Sequence, residues 1–281
     1  MVEHFFIYND KVYINNSPVV SAANRGLRYG DGLFETMKCV NGKIINANFH
    51  FERLFAGLSL LQFDVPKQFT KDFILKKIGE LCNKNKHNEH VRIRLMIFRG
   101  NGGIFDPENH LPNYIIESWE LPGTTLLNEN GQTIDIFPDA RKSCDSFSNI
   151  KSNNYLPYTM AALYAKKNKL NDCMLLNSFE RICDSVIANI FIIKENDIYT
   201  PPLSEGCVAG TMRRWMLKKF TLENYQVSEK ILTVDDLLNA DEVFLTNAIY
   251  YIKWVKSFRD KNYSNISVRE IFNKLLQTID E

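Results

Sequence analysis

Several polar side chains in this sequence could do chemistry, and the clearest setting is a glycine turn that opens a helix. Gly210-Thr211-Met212 precedes a stretch with helical spacing of apolar residues. The first amides of a helix lack partners within the helix, so such a turn can hold a phosphate group. An ordinary turn glycine explains the same residues, and the segment alone leaves both interpretations open.

A second candidate group lies on a predicted helix of the first half. His50 and Arg53 are one turn apart on this helix. Its apolar stripe includes Phe51, Leu54 and Leu58, so Arg53 lies off the side that faces the core. An arginine can bind a phosphate through two parallel hydrogen bonds. A solvated surface arginine is the alternative.

Lys151 and Asp184 are the other candidates. Lys151 follows a polar loop and precedes an aromatic helix start in "KSNNYL". A lysine shielded from water loses its charge more easily and can attack a carbonyl carbon. Asp184 ends a predicted strand, where a buried carboxylate could hold a protonated pyridine nitrogen. A solvated lysine and a turn aspartate are the alternatives, and the residues alone exclude neither.

Apolar periodicity predicts the elements that carry these groups in the first half. "FFIYNDKVYINN" alternates on both sides of Asn9-Asp10, which predicts an antiparallel hairpin. Helical spacing predicts helices over residues 51–61 and 71–83. Alternation predicts a strand over 91–98 that places Arg92 and Arg94 on the same face.

The stretch "RGLRYGDGLFET" at residues 25–36 fits neither regular pattern. It contains three glycines and several charged residues. That composition is unfavourable for a helix interior and for a buried strand. The sequence therefore predicts a loop here.

The second half begins with a segment that is poor in apolar residues, "PGTTLLNENGQT", which predicts a domain boundary. The elements predicted after it are, in order, a strand near Ile134, a polar run, a helix over 155–167, two hairpin-like strand pairs, a helix after Gly210, a strand over 242–246, and a final helix with the capping pattern Ser267 to Glu270.

These elements predict an α+β protein with two domains, a smaller one at 1–121 and a larger one at 122–281 that carries Lys151. The 281 residues contain no G-x-G-x-x-G after a predicted strand and no G-x-x-x-x-G-K-[ST] motif. A dinucleotide fold and a P-loop are therefore disfavoured.

The overall composition excludes several classes of partner. Lysine and arginine number 34 against 33 acidic residues, so no net field favours nucleic acid or an anionic membrane. No apolar run approaches the roughly 20 residues that span a bilayer, and the first residues lack a signal pattern. We expect a cytoplasmic protein. The six cysteines are scattered, which favours free thiols over a disulfide frame or a metal site.

Eight segments follow one another in a characteristic order: "RGLRYGDGLFET", "HFERL", "RIRLMIFRGNGG", "KSNNYL", "DSVIANIF", "YTPPL", "GCVAGTMR" and "TNA". Together they resemble the fold type IV pyridoxal-phosphate enzymes. This class IV aminotransferase superfamily contains branched-chain aminotransferases, D-amino acid aminotransferases and aminodeoxychorismate lyases. The resemblance spans almost the whole chain, and it implies a site at the interface of two domains.

The resemblance implies pyridoxal 5'-phosphate as cofactor, with Lys151 bonded covalently to its aldehyde. It also implies a set of phosphate ligands: Arg53, the amides of Thr211 and Met212, and Thr246 with Asn247. Tyr155 would lie beside the phenolic oxygen. Asp184 stands where the family usually has glutamate, so reaching the ring nitrogen would require a small backbone shift or a bridging water.

The substrate side is also carried over from the resemblance. Tyr29 and Phe34 would line the pocket, partly towards a partner subunit, with Glu35 as a further candidate. Arg94 would bind a substrate carboxylate. An arginine on a solvated sheet face is the alternative for Arg94. The resemblance implies a homodimer.

Three functions are compatible with these residues. The first is 4-amino-4-deoxychorismate lyase, which releases pyruvate and 4-aminobenzoate. "GTMR" and "TNA" resemble lyase segments more than the "GITR" and "GTA" of branched-chain aminotransferases. The second is an amino acid aminotransferase of the branched-chain or D-amino acid type. The third is a cofactor-binding protein without catalysis.

Overall fold

The computed structural model describes residues 4–123, 125–222 and 226–279. Contacts within the chain divide it into two compact units: Met1–Thr124 with Ile150–Asn154, and Thr125–Asn149 with Tyr155–Glu281. The segment that carries Lys151 belongs to the first unit by its contacts, although it follows residue 121 in the chain. The domain limits 1–121 and 122–281 stay a prediction.

The described part of the first unit is built on six strands and three helices. In chain order they are β1 (Phe5–Tyr8), β2 (Lys11–Ile14), α1 (Arg25–Tyr29), β3 (Gly32–Val40), β4 (Lys43–Ile44), α2 (Ala47–Leu60), α3 (Lys71–Asn85), β5 (His90–Arg99) and β6 (Pro112–Glu120). The strands form one antiparallel sheet in the order β2-β1-β6-β5-β3-β4.

One face of this sheet packs on α2 and α3. Alternation along β3 and β5 puts Met37 and Ile93 in a core with Leu58 of α2 and Ile74 of α3. The opposite face of β5 carries the arginines, as predicted. The predicted hairpin is also confirmed: Tyr8 pairs with Lys11, and both residues of its turn have positive φ.

The prediction of a loop at residues 25–36 was wrong. Residues Arg25–Tyr29 form α1, and the strand β3 starts at Gly32. The helix begins at Asn24, whose side chain accepts a hydrogen bond from Leu27 N, and ends at Gly30 with φ 65°. An ion pair compensates charge inside the stretch, because Arg25 Nε lies 2.7 Å from Asp31 Oδ2.

The edge of β3 holds the segment that contains Lys151. The strand β4 pairs with the end of β3, and the beginning of that edge is paired with residues 151–153. Phe34 N donates to Lys151 O at 2.9 Å, and Asn153 N donates to Gly32 O at 2.9 Å. Lys151 is therefore positioned by its backbone.

Glycine is required at position 32 for this close approach. A Cβ on Gly32 would lie 2.6 Å from the side-chain nitrogen of Asn153 and would collide with the carbonyl oxygen of Ile97. The glycine lets the segment pair with β3 while β3 stays paired with β5.

The second unit contains the remaining elements. In chain order they are β7 (Gln132–Lys142), α4 (Leu156–Lys167), β8 (Asp172–Asn177), β9 (Ile182–Ser185), β10 (Asn189–Lys194), β11 (Asp197–Thr200), a 3₁₀ helix (Leu203–Glu205), α5 (Thr211–Leu222), β12 (Val227–Glu229), α6 (Val234–Asn239), β13 (Glu242–Asn247), β14 (Tyr251–Phe258), β15 (Lys261–Asn262) and α7 (Ile266–Thr278). The predicted hairpin pairs are confirmed as β8 with β9 and β10 with β11.

The nine strands described in this unit form a mixed sheet in the order β12-β11-β10-β13-β14-β7-β8-β9, with β15 on β14. The strand β7 runs parallel to both neighbours. It is longer than expected and includes the start of the predicted polar run, so Lys142 lies in a strand and is buried. Helices and antiparallel pairs in both units confirm the α+β class.

The capping prediction for the final helix was wrong. Ser267 lies inside α7 as its second residue. Its amide and that of Val268 donate to the carboxylate of Glu242 at 3.0 and 2.9 Å. A buried carboxylate from β13 thus satisfies the amides at the start of α7, in place of the local side chain. Within the described residues, no helix has both the length and the apolar character to span a membrane.

Candidate active site

Lys151 and Arg94 both lie against the ring of Phe34 in the first unit. Lys151 Nζ is 4.6 Å from the ring centroid, and the guanidinium carbon of Arg94 is 4.3 Å from it. Phe34 is buried. One aromatic ring thus contacts both the predicted covalent lysine and the predicted carboxylate-binding arginine.

Arg94 has an acidic neighbour across the sheet. It pairs with Glu117 in the register of β5 and β6. Burial raises the pKa of Glu117, and the charges of Arg94, His4 and Arg92 offset this only in part. Arg94 therefore lies beside a carboxyl group whose pKa burial raises above its ordinary value.

Arg53 is held by a buried carboxylate. Its Nε and Nη2 donate to the two oxygens of Glu35 at 2.8 and 2.6 Å. Glu35 follows from the alternation of β3, because Leu33 and Met37 on the same side enter the core. The parallel pair fixes the plane of the guanidinium and leaves Nη1 as the end that points away from Glu35.

His50 completes this cluster. Its Nδ1 is 2.6 Å from Glu35 Oε2. Burial lowers the pKa of His50, and nearby Arg53 and Lys151 add to this against the opposing charge of Glu35. Burial raises the pKa of Glu35, but Arg53 and His50 outweigh it and lower the value to about 2. The imidazole is therefore neutral at pH 7 and donates its Nδ1–H to an ionised carboxylate.

Tyr29 ends α1 and is 38% exposed. The guanidinium carbon of Arg25 lies 5.5 Å from its ring centroid. Arg25 also binds Asp31, and its Nη1 donates to the carbonyl oxygens of Gly103 and Ile104. These contacts position Tyr29 relative to β3.

Asp184 is the buried carboxylate of the second unit. Its Oδ2 accepts hydrogen bonds from Val208 N at 2.9 Å, Tyr158 Oη at 3.0 Å and Lys142 Nζ at 3.2 Å. Its Oδ1 accepts from Lys142 at 3.4 Å. Oδ1 has capacity left for another donor, such as a protonated ring nitrogen.

Tyr155 stacks on Tyr158, with ring centroids 4.3 Å apart. Its hydroxyl donates to Val186 O at 3.1 Å, so the lone pairs of its oxygen are what it can offer to a ligand. Burial and the charge of Asp184 raise the pKa of Tyr158 well above its ordinary value. Tyr158 is therefore a donor to Asp184 and keeps its proton.

The start of α5 meets the beginning of β10. Asn189 donates its side-chain amide to Val208 O at 2.9 Å, and a Cβ on Gly210 would collide with the side-chain oxygen of Asn189. The helix starts at Thr211, and both Thr211 and Met212 are buried. The first amides of a helix point out of its end and carry its positive partial charge, which suits a phosphate.

Thr246 and Asn247 end the neighbouring strand β13. Thr246 pairs with Asn189 in the sheet, and its hydroxyl donates to Tyr251 O at 2.6 Å. Asn247 Oδ1 accepts from the amides of Ile249 and Tyr250. This turn directs the side-chain NH₂ of Asn247 outward, where it donates to a backbone carbonyl at 3.3 Å.

The donors of the second unit fit a phosphate ester joined to an aromatic nitrogen ring. Helix amides and Asn247 offer donors to an anion, and Asp184 offers an acceptor to a ring nitrogen. The close packing of Gly210 on Asn189 brings the helix start to the strand ends. The sequence did not identify Lys142, Tyr158 or Asn189. Only the spacing of Tyr158 from Tyr155, one helical turn, could have suggested the stacked pair.

The described residues form an α+β scaffold that contains a lysine beside a buried aromatic ring, an arginine held by a carboxylate and, in the second unit, a helix start suited to a phosphate. The family model of amino-transferase class IV matches residues 32–258. The chain belongs to the class IV aminotransferase family. This match confirms the predicted family and, with it, the predicted dependence on pyridoxal phosphate.

Individual relatives differ in activity. A protein of Methanocaldococcus jannaschii named as a branched-chain-amino-acid aminotransferase is 29% identical over 272 residues, which cover 94% of this chain and 93% of the relative. The aminodeoxychorismate lyase of Vibrio harveyi is 28% identical over 242 residues, covering 84% and 87%. The two activities are therefore represented at nearly the same identity to this chain.

A solved structure agrees in fold. The branched-chain aminotransferase of the thermophilic archaeon Thermoproteus uzoniensis, crystallised with norvaline, has a TM-score of 0.88 and 20% identity to this chain. The match covers 98% of this chain and 94% of that structure. The predicted fold type IV architecture is confirmed.

Proposed function

We propose that this enzyme is a 4-amino-4-deoxychorismate lyase. The observation that carries the proposal is the junction of its two lyase-like segments. "GTMR" begins α5, "TNA" ends β13, and Asn189 pairs with one and contacts the other. The two segments that resemble lyases most closely therefore meet at Asn189, which supports a joint role in binding the cofactor phosphate.

The roles of the cofactor ligands follow the family motif. Lys151 bonds the cofactor aldehyde, and Asp184 accepts a hydrogen bond from the ring nitrogen. The remaining ligands are Tyr155 at the phenolic oxygen, and Arg53, Thr211, Met212, Thr246 and Asn247 at the phosphate. The bidentate Arg53–Glu35 pair supports a fixed direction for the phosphate-binding arginine.

The substrate is held by Tyr29, Phe34 and Arg94. Aminodeoxychorismate carries carboxylates, which suit the guanidinium of Arg94. When bound, pyridoxal phosphate withdraws electrons from the bonds around the substrate carbon that bears the amine. Once released from the aldehyde, Lys151 Nζ would take the proton from that carbon. The bond between the ring carbon and the ether oxygen of the enolpyruvyl group would then break, the departing enolpyruvate would take up a proton to become pyruvate, and the ring would become aromatic.

The lyase is tested by product formation from aminodeoxychorismate. We expect release of pyruvate and 4-aminobenzoate in equal amounts. Lys151→Ala should abolish the release and the absorbance band near ~410 to 420 nm that a lysine-bound cofactor gives. Lys166→Ala, which changes an exposed lysine of α4, is the matched control and should leave both unchanged.

Amino-group exchange would identify the second candidate. The relative from M. jannaschii favours it. If L-valine or L-glutamate with a keto acid gives exchange while aminodeoxychorismate gives no pyruvate, the enzyme is an aminotransferase and the lyase proposal is wrong. Cofactor absorbance without either reaction would identify a binding protein. We also propose a homodimer, which light scattering after gel filtration tests directly.

A further inference from the structure

The carboxylate proposed for the ring nitrogen has a second lysine beside it. Lys142 Nζ lies 3.2 and 3.4 Å from the two oxygens of Asp184 and also donates to Tyr158 Oη. The side chains of Lys142 and Asp184 are 8% and 3% exposed. This pair is thus shielded from water. Charges in such an environment interact strongly.

Chain geometry explains how Lys142 reaches this position. The pairing of β7 with β8 is irregular between Ile136 and Arg141 and resumes with Arg141 opposite Leu176 and Lys142 opposite Asn177. The irregularity turns Lys142 inward while Arg141 remains exposed and binds Glu180. The two neighbouring cations therefore have different environments on one strand.

The ammonium group reduces the negative charge that Asp184 can offer to another cation. A lone carboxylate beside a pyridine nitrogen stabilises the protonated ring. When a fixed ammonium already compensates that carboxylate, the field at the nitrogen is weaker. Tyr158 and Val208 N use further capacity of Oδ2.

We propose that Lys142 is a positioning residue that limits the electron withdrawal of the cofactor by partly neutralising Asp184. This rests on the proposed contact of Asp184 with the ring nitrogen. A weaker electron sink is sufficient for an elimination whose product is aromatic, because the forming ring itself stabilises the product. An amino-group transfer has no such contribution from its product.

The proposal is tested by binding, independently of turnover. The affinity of the apoprotein is measured for pyridoxal phosphate and for 1-deazapyridoxal phosphate, in which a carbon replaces the ring nitrogen. The ratio of the two affinities reports the strength of the contact at that atom. We expect Lys142→Met to raise the preference for pyridoxal phosphate about tenfold, because a compensating charge is removed.

Two control variants separate charge from packing. Lys142→Arg keeps the charge and should keep the wild-type ratio. Arg141→Met removes the neighbouring exposed cation and should also keep it. If Lys142→Met unfolds, Lys142→Gln is measured in its place with the same expectation. An unchanged ratio in the neutral variant, or an equal rise in Lys142→Arg, overturns the proposal.

Asp184→Asn distinguishes this inference from the placement of Asp184. If Asp184→Asn lowers the ratio while the neutral Lys142 variant leaves it unchanged, Asp184 contacts the ring nitrogen and only the inference about Lys142 is wrong. If Asp184→Asn leaves the ratio unchanged as well, the proposed contact itself is wrong.

Discussion

Glu35 in the first unit and Asp184 in the second are buried carboxylates with similar sets of partners. They are 1% and 2% exposed. Each accepts hydrogen bonds from one cationic and one neutral side chain: Arg53 and His50 for Glu35, Lys142 and Tyr158 for Asp184. Burial of a charge is costly without such compensation, so both arrangements obey the same requirement.

The two clusters differ in which of the two paired ions is the proposed ligand of the cofactor. Glu35 holds Arg53 by two parallel bonds of 2.8 and 2.6 Å, and both its partners come from α2. The carboxylate there orients a cation. Asp184 instead accepts longer hydrogen bonds, one from Lys142 Nζ and one from the backbone amide of Val208. In the second unit the cation moderates a carboxylate, so similar ion pairs have opposite roles.

Glu35→Gln should break the first cluster and give the largest effect. Arg53 would keep its charge in a half-buried place and lose the carboxylate of Glu35. We expect a loss of about 3 kcal/mol in the free energy of unfolding, as for buried pairs that lose one ion. Urea unfolding at pH 7 measures this. Glu80→Gln, on the exposed side of α3, is the control, and an equal loss there would contradict the account.

The pH dependence sharpens the same contrast. The pKa of Glu35 is lowered from 4.5 to about 2 in the folded protein, so its stabilisation is present above pH 4.5 and is lost as the pH falls towards 2. At 1.36 kcal/mol for each unit of pKa, this lowering corresponds to about 3 kcal/mol in the free energy of unfolding. The difference in unfolding free energy between wild type and Glu35→Gln should therefore stay constant from pH 7 to 5 and shrink below 4.5. A difference that grows on acidification would contradict this assignment.

Tyr158→Phe should weaken the second cluster by a smaller amount. The hydroxyl that donates to Asp184 at 3.0 Å is removed, while Lys142 and Val208 N still compensate the carboxylate. We expect a loss of about 2 kcal/mol, typical of a hydrogen bond to a charged group. Thermal and urea unfolding test this. Tyr164→Phe in the same helix is the control.

Arg141→Met should give the smallest effect. Its guanidinium binds Glu180 at 2.6 Å on the protein surface, where solvent screens the pair. We expect no measurable change in the unfolding midpoint, whereas Lys142→Met on the same strand should lower it clearly. Equal changes in the two variants would show that burial does not distinguish these neighbouring cations.

Local patterns predicted much of the fold. The helices α2 and α3, the alternating strand β5 and the hairpin at Asn9-Asp10 follow from apolar spacing and turn chemistry. The errors occurred where distant residues supply what the local sequence lacks. At residues 25–36, pairing of Arg25 with Asp31 and Arg99 with Asp31 makes a charged stretch compatible with regular structure.

The candidate site divides in the same way. Sequence motifs identified Lys151, Arg53 and the helix start at Thr211, because each motif is a short run of residues. Their roles as cofactor ligands stay predictions. Lys142 could not be identified from the sequence, since it lies 42 residues from Asp184 and no periodic spacing of residues connects the two.

The sequence by itself determined the family, the types of most elements and the candidate ligands, because these depend on short-range spacing and on ordered motifs. The tertiary structure decided which charges are paired. Glu35 meets Arg53 across 18 residues, and Lys142 meets Asp184 only after β7 and β9 are placed about β8. Charge pairing depends on distance in space and on burial, and neither can be read from the order of residues alone.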